Sequence, residues 1–249
     1  MLRKINKQTE PPCLTQLRSS VVLTDPNNFE LLTAGCKTEI RRQLRTEQFG
    51  LCAFCNRRMN PFYGGKSFLT NPLSGEIEAS GTSFENGWPD NIEHIKPQRA
   101  EDGPSAEKRY PELSLVYSNL VGCCASKYSG ETICNGAKGN KQFQFADPVS
   151  GAGLPGVSIS SIGALVTEDA RVAADIELLN LNCKALNAAR KSVEIGLRDQ
   201  LSKAPSSSSR KELQKAWRRF TVPVGGVLPE FAEVARRYLE PMAKRENLF

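Results

Sequence analysis

Five of the eight cysteines fall in two groups far apart in the chain, and no other feature constrains the fold as much. LCAFC holds Cys52 and Cys55. GCCASKYSGETICN holds Cys123, Cys124 and Cys134. A C-x2-C spacing lets two thiolates from one tight turn reach a single tetrahedral ion, and two more thiolates close the site. The expected ligands are Cys52, Cys55, Cys134 and one of the adjacent pair, with Cys124 favoured over Cys123 because neighbouring side chains point in different directions. A closed four-thiolate zinc site has no open position for a substrate, so its role is structural. It would join distant loops in a region poor in apolar residues. The competing reading is four reduced, buried thiols without metal. Cys13, Cys36 and Cys183 are read as packing residues, Cys36 within a helical stripe formed with Leu32, Ile40 and Leu44.

Three regions follow from composition and periodicity. Residues 1–50 form an N-terminal arm and a helix. The arm, 1–27, is expected to be irregular because Pro11, Pro12 and Pro26 interrupt it. Residues 28–47 read as one amphipathic helix that Gly50 ends, with Arg41, Arg42 and Arg45 on its polar face. Residues 51–145 carry most of the unusual chemistry, including a Gly, Ser and Asn-rich stretch from Met59 to Trp88 that reads as loop and short hairpin. Its GGK lacks the glycine spacing of a phosphate-binding loop. Residues 146–249 begin with a turn-rich linker and two short strands around Gly163. Helices are expected at about 168–180, 183–203, 209–220 and 229–240, the middle pair separated by PSSSS. Their apolar stripes, such as Leu213, Trp217 and Phe220, suit core or partner docking.

No run approaches the roughly 20 apolar residues of a membrane helix. The opening MLRKINKQTEPP has basic residues but no apolar stretch behind them, so no secretory signal is read and a cytoplasmic location is expected. In a reducing compartment, clustered cysteines favour metal over disulfides. The net charge of +6 permits contact with phosphate-rich partners without demanding it.

The chain has a single histidine, His94, in NIEHIKPQRA. Alone, it would be read as a structural residue. It lies between the cysteine groups, after Glu93 and three residues before Pro97. SNLVGCC then supplies Asn119, and CNGAKGNK supplies Asn135 and Lys138. An imidazole with a pKa near 6.5 can take a proton from water at neutral pH. Glu93 and Asn135 offer hard oxygen ligands suited to Mg²⁺ or Mn²⁺. Adjacent strand residues point to opposite faces, so Glu93 and His94 would share a site only where the strand twists or turns.

In this order, the residues resemble the pattern of the HNH, or ββα-metal, endonucleases: C-x2-C, an acid before His-x2-Pro, Asn-Leu, then Cys-Asn-x2-Lys. Cys52, Cys55, Glu93, His94, Pro97, Asn119, Leu120, Cys134, Asn135 and Lys138 carry the match. Two departures stand out. Glutamate replaces the usual aspartate, and Cys124 and Cys134 lie further apart than the usual knuckle pair, so an inserted loop is expected. The resemblance implies an α+β fold with a ββα-metal core and a four-cysteine zinc knuckle, followed by a mainly helical C-terminal region. It implies metal-dependent phosphodiester hydrolysis, with His94 as general base and Glu93 and Asn135 holding Mg²⁺ or Mn²⁺. Asn119 would hold the loop around His94. Lys138 would contact substrate phosphate, against the alternative of an exposed lysine.

A narrower resemblance rests on MLRKINKQTEPP, SNLVGCC with CNGAKGNKQF, and IELLNLNCKALNAAR. These are similar to the nuclease subunit of Septu-type bacterial anti-phage systems, which implies an ABC-type ATPase partner. The expected substrate is nucleic acid, DNA ahead of RNA. The alternative is a non-catalytic, zinc-stabilised nucleic-acid-binding or adaptor module.

Overall fold

Pro12 opens the first helix rather than preventing one. At the first helical position the missing N–H has no partner to lose and the fixed φ suits the helix. A computed structural model describes residues 4–59, 62–63, 66–70, 77–80, 90–98, 110–124, 126–150, 156–205 and 209–248. Helix α1 spans Pro12–Arg18, where an irregular arm was expected. The single helix expected over 28–47 is divided. A 3-10 turn covers Asn28–Leu31, and α2 covers Ala34–Glu47. The break falls at Thr33, whose hydroxyl accepts the Cys36 N–H at 3.2 Å and caps α2. Phe49 and Gly50 then adopt positive φ, ending the helix where Gly50 was expected to.

Cys13 and Cys36 are not separate packing residues. They form a disulfide that ties α1 to α2. The reading of both as unpaired thiols is therefore corrected. Their separation of 23 residues, across a helix and a turn, left no local cue.

The chain is α+β, with seven α-helices and small antiparallel sheets among the described residues. Strands β1 (Phe62–Tyr63), β2 (Lys66–Thr70) and β3 (Ile77–Ser80) form a meander in the stretch read as loop and hairpin. The glycines of GGK lie outside the described residues. Strand β4 (Asp90–His94) pairs with β5 (Leu120–Cys124), Glu93 opposite Val121 and His94 opposite Leu120. The insertion expected between Cys124 and Cys134 contains a hairpin, β6 (Lys127–Tyr128) and β7 (Glu131–Thr132). Helix α3 (Cys134–Lys138) follows and packs on β5.

Strands β8 (Ser158–Ile159) and β9 (Leu165–Val166) flank Gly163 as expected. Gly163 has φ +83°, and a Cβ there would lie 2.1 Å from the Asn187 carbonyl oxygen. Only glycine meets both demands. The remaining helices are α4 (Ala170–Leu178), α5 (Lys184–Ser202), α6 (Ser209–Thr221) and α7 (Ala232–Arg245). Residues 151–155 and 206–208 of the two expected linkers lie outside the described residues.

Three apolar clusters hold these elements. One joins the 52–55 turn, β5 and α3 to Val172, Ile176, Leu186, Phe231 and Val234, so the segment after 145 packs onto the cysteine region. The second is built from α5, α6 and α7 and includes Leu51 beside the first cysteine pair. Leu213, Trp217 and Phe220 are spent there, in contacts within the chain. The third gathers Leu14, Cys36, Ile40, Leu44, Tyr117 and Leu120 under α1 and α2.

Candidate functional site

The β4–β5 pair is a two-stranded unit, and such pairs are marginal without neighbours. Gln48 completes it. Its Nε2 donates to the carbonyls of Leu51 and Gly122, both at 2.8 Å, and its Oε1 accepts the Gly122 N–H at 2.7 Å. The side chain thus acts as a short third strand on the open edge of β5 and anchors the cysteine turn beside it. Asp175 of α4 does a similar task behind α3, accepting the N–H groups of Gln144, Phe145 and Ala146 at 2.8, 2.8 and 2.7 Å. Sequence reasoning missed both, because a buried amide or carboxylate that serves distant backbone leaves no local signature.

His94 ends β4 and is 8 % exposed. Its Nε2 lies 2.9 Å from the Ser114 carbonyl oxygen, and the ring of Phe29 meets it edge-on at 4.8 Å between centroids. A carbonyl can only accept, so Nε2 carries the hydrogen and Nδ1 keeps its lone pair. Burial lowers the His94 pKa to about 4, so the ring is neutral at physiological pH.

Glu93 leaves β4 on the other side, as alternation requires. Its Oε1 accepts from Lys138 Nζ at 2.6 Å. The same ammonium donates to the His94 backbone carbonyl at 3.1 Å, and Lys138 is 1 % exposed. Lys138 was expected to contact phosphate or to be exposed. The structure turns it inward, where it fastens α3 to β4. Burial raises the Glu93 pKa, with the Lys138 ammonium pulling in the opposite direction. Glu93 and His94 therefore meet different elements, rather than converging through a twist in the strand.

Asn119 spans the loop after His94. Its Oδ1 accepts the Lys96 N–H at 2.8 Å, and its Nδ2 donates to the carbonyls of Lys96 and Leu113 at 3.0 and 3.1 Å. Three bonds from one buried amide fix both strand-flanking segments that frame the imidazole. Asn135 is half-buried in the first turn of α3. Among the described residues its side-chain amide makes no hydrogen bond, so its oxygen is available to a ligand.

Cys52, Cys55, Cys124 and Cys134 lie together, all buried, with their sulfurs within 4.8 Å of one another. Cys52 and Cys134 are 3.9 Å apart, and Cys55 and Cys124 are 3.6 Å apart. Zinc–sulfur bonds of about 2.3 Å in a tetrahedron place sulfurs about 3.8 Å apart. The cluster can hold a metal such as zinc. Cys124 is the member of the adjacent pair that takes part; Cys123 turns the other way, its sulfur 3.5 Å from the Asn91 carbonyl oxygen. Backbone bonds pin the cluster at both ends, Ala53 N–H to the Gly122 carbonyl at 3.0 Å and Cys134 N–H to the Leu179 carbonyl at 2.9 Å. Burial pushes the Cys134 thiol well above its ordinary pKa, and the neighbouring cysteines add to the shift.

No helix among the described residues is long and apolar enough to cross a membrane. Comparison with family models, curated proteins and solved structures finds no match to the chain.

Proposed function

We propose that this protein is a metal-dependent endonuclease of the HNH type that hydrolyses nucleic-acid phosphodiester bonds. The observation that carries the reading is the His94 hydrogen bond. With Nε2 fixed on the Ser114 carbonyl oxygen, Nδ1 is held as a lone-pair base. A neutral imidazole oriented by a backbone carbonyl keeps one lone pair that can accept a proton from water. Further support comes from the order of elements. An antiparallel pair, β4 and β5, is followed by a short helix, α3, that packs on β5 and carries Asn135 in its first turn.

The catalytic ion is Mg²⁺ or Mn²⁺ in this reading. Hard oxygen donors suit both. Glu93 and Asn135 would hold the ion, Glu93 through Oε2, since Oε1 is engaged by Lys138. When bound, it would polarise the scissile phosphate and stabilise the leaving oxygen. The chain's own groups do the rest. His94 takes the proton of the attacking water at Nδ1, Ser114 holds the ring, and Asn119 fixes the loop around it. Lys138 balances the charge of Glu93 and ties it to α3. The four-cysteine cluster is a structural zinc site. It clamps the 52–55 turn, the end of β5 and the start of α3, the helix that carries Asn135.

A biological setting follows from the likeness to Septu-type nuclease subunits. The chain is the effector of an anti-phage system and acts with an ABC-type ATPase, which governs access to the site. Three observations favour the alternative of a non-catalytic binding or adaptor module: His94 is buried under Phe29, Glu93 is already paired, and the two side chains meet different elements rather than each other. Cleavage decides between them. The purified chain, alone and with the co-encoded ATPase and nucleotide, is incubated with plasmid DNA and with RNA in Mg²⁺ or Mn²⁺. Cleavage that chelation abolishes and that His94→Ala reduces at least about 100-fold supports the enzyme. Equal cleavage by wild type and His94→Ala, or none under any of these conditions, removes it.

A further inference from the structure

We infer that the outer face of α6 is a contact surface for the phosphate backbone of a nucleic acid. The chain's formal net charge is +6. Helix α6 alone holds Arg210, Lys211, Lys215, Arg218 and Arg219 against the single acid Glu212, a net of +4 within 13 residues. Five of the chain's 33 Lys and Arg thus lie on one helix, of which Arg210 is paired with Glu246.

The arrangement within α6 is directional. Leu213, Ala216 and Phe220 are buried against the neighbouring helices. Lys211, Lys215 and Arg218 are exposed. Their spacing of four and three residues sets them in one row, spanning about 10 Å at 1.5 Å per residue. The buried side shares its apolar cluster with Leu51, next to Cys52, so the row is carried by the same packed body as the cysteine region.

Several cations on other surface helices are neutralised within their own helix. Arg42 pairs with Glu39, and Lys191 with Glu194. On α7, Arg236 pairs with Glu233 and Glu240, and Lys244 with Glu240. On α6 the residue four after Lys211 is Lys215, and the residue three after Lys215 is Arg218. Like charges at these spacings repel and weaken the helix. Among the described residues none of the three has an acidic partner, and the Glu212 carboxylate accepts instead from Gln200. A self-repelling row is stabilised by a polyanion that lies along it. Phosphates supply that charge at regular intervals, and their neutralisation releases counterions.

The choice of nucleic acid over an acidic protein rests on the nuclease reading above. The test separates the two. Binding of a labelled 30-base-pair duplex and of the matching single strand is measured by anisotropy across a salt series. Chelator sufficient to block cleavage but not to strip the thiolate metal is present. The full chain is compared with the triple variant Lys211→Gln, Lys215→Gln and Arg218→Gln. Unchanged melting temperature and metal content show that the variant is folded. Loss of three phosphate contacts makes the slope of log affinity against log salt shallower by about 2.7 on duplex. The affinity falls at least tenfold at low salt. An unchanged affinity and slope overturns the proposal. So does a wild type that binds neither nucleic acid at low salt, or a variant that loses only an acidic polypeptide such as polyglutamate. If the wild type binds through this row but never cleaves, the nuclease reading fails and the surface stands. If it cleaves and the variant binds as well as the wild type, the surface fails and the nuclease stands.

Discussion

Lys138 and Glu93 form a buried ion pair, with the lysine 1 % and the glutamate 8 % exposed. Removing one partner of such a pair leaves an uncompensated charge inside the protein. Lys138→Met is therefore expected to destabilise the fold by about 3–5 kcal/mol. Adding Glu93→Gln should restore part of that loss, and urea unfolding of the two variants measures it. A simple surface lysine would show neither effect. His94 makes a second prediction at this scale. Its folded pKa of about 4 lies below the unfolded value near 6.5. Between these values the unfolded chain binds more protons, so stability falls as the pH drops through the window. The full effect is about 3 kcal/mol. His94→Gln should flatten that part of the stability profile; an equal slope in both proteins would assign the effect elsewhere.

Among the elements, the disulfide between α1 and α2 closes a loop that includes Phe29, the residue lying over His94. Closing a loop of this length stabilises by about 3 kcal/mol in the chain-entropy view. Cys13→Ser should lower stability by that order under non-reducing conditions and have no effect once reductant is present. This part of the fold was only partly legible in the sequence. Leu32, Cys36, Ile40 and Leu44 keep a helical phase across the break at Thr33, so periodicity could not reveal the 3-10 turn or the cap. Pro12 read as a breaker because its position within the helix, not its identity, decides its effect. Legible features were those written locally: Gly50 ending a helix, the strands around Gly163, the C-x2-C turn. The Gln48 and Asp175 bonds and the inward turn of Lys138 depend on contacts between segments 29–74 residues apart, which one sequence does not display.

On the scale of the whole molecule, the cysteine cluster joins three separate segments of the chain at one point. The segment after 145 packs against it through Val172, Ile176 and Phe231. Metal there would act on global stability rather than on one loop. The full chain is expected to retain about one zinc after washing with a weak chelator. Cys52→Ser should lose that zinc and unfold at a lower temperature. Because bound thiolates must shed protons, metal affinity should weaken as the pH falls. Elemental analysis across a pH series measures this, and a metal content indifferent to Cys52→Ser would remove the site.

The chain's single histidine makes the central claim directly measurable. Selective ¹⁵N labelling of histidine gives one imidazole spectrum, read without assignment. A neutral ring is expected, with hydrogen on Nε2 and none on Nδ1, titrating near pH 4 in the protein without added divalent ions. A ring hydrogenated at Nδ1, or one that titrates freely near 6.5, would contradict an imidazole fixed on the Ser114 carbonyl with its other nitrogen kept for the attacking water.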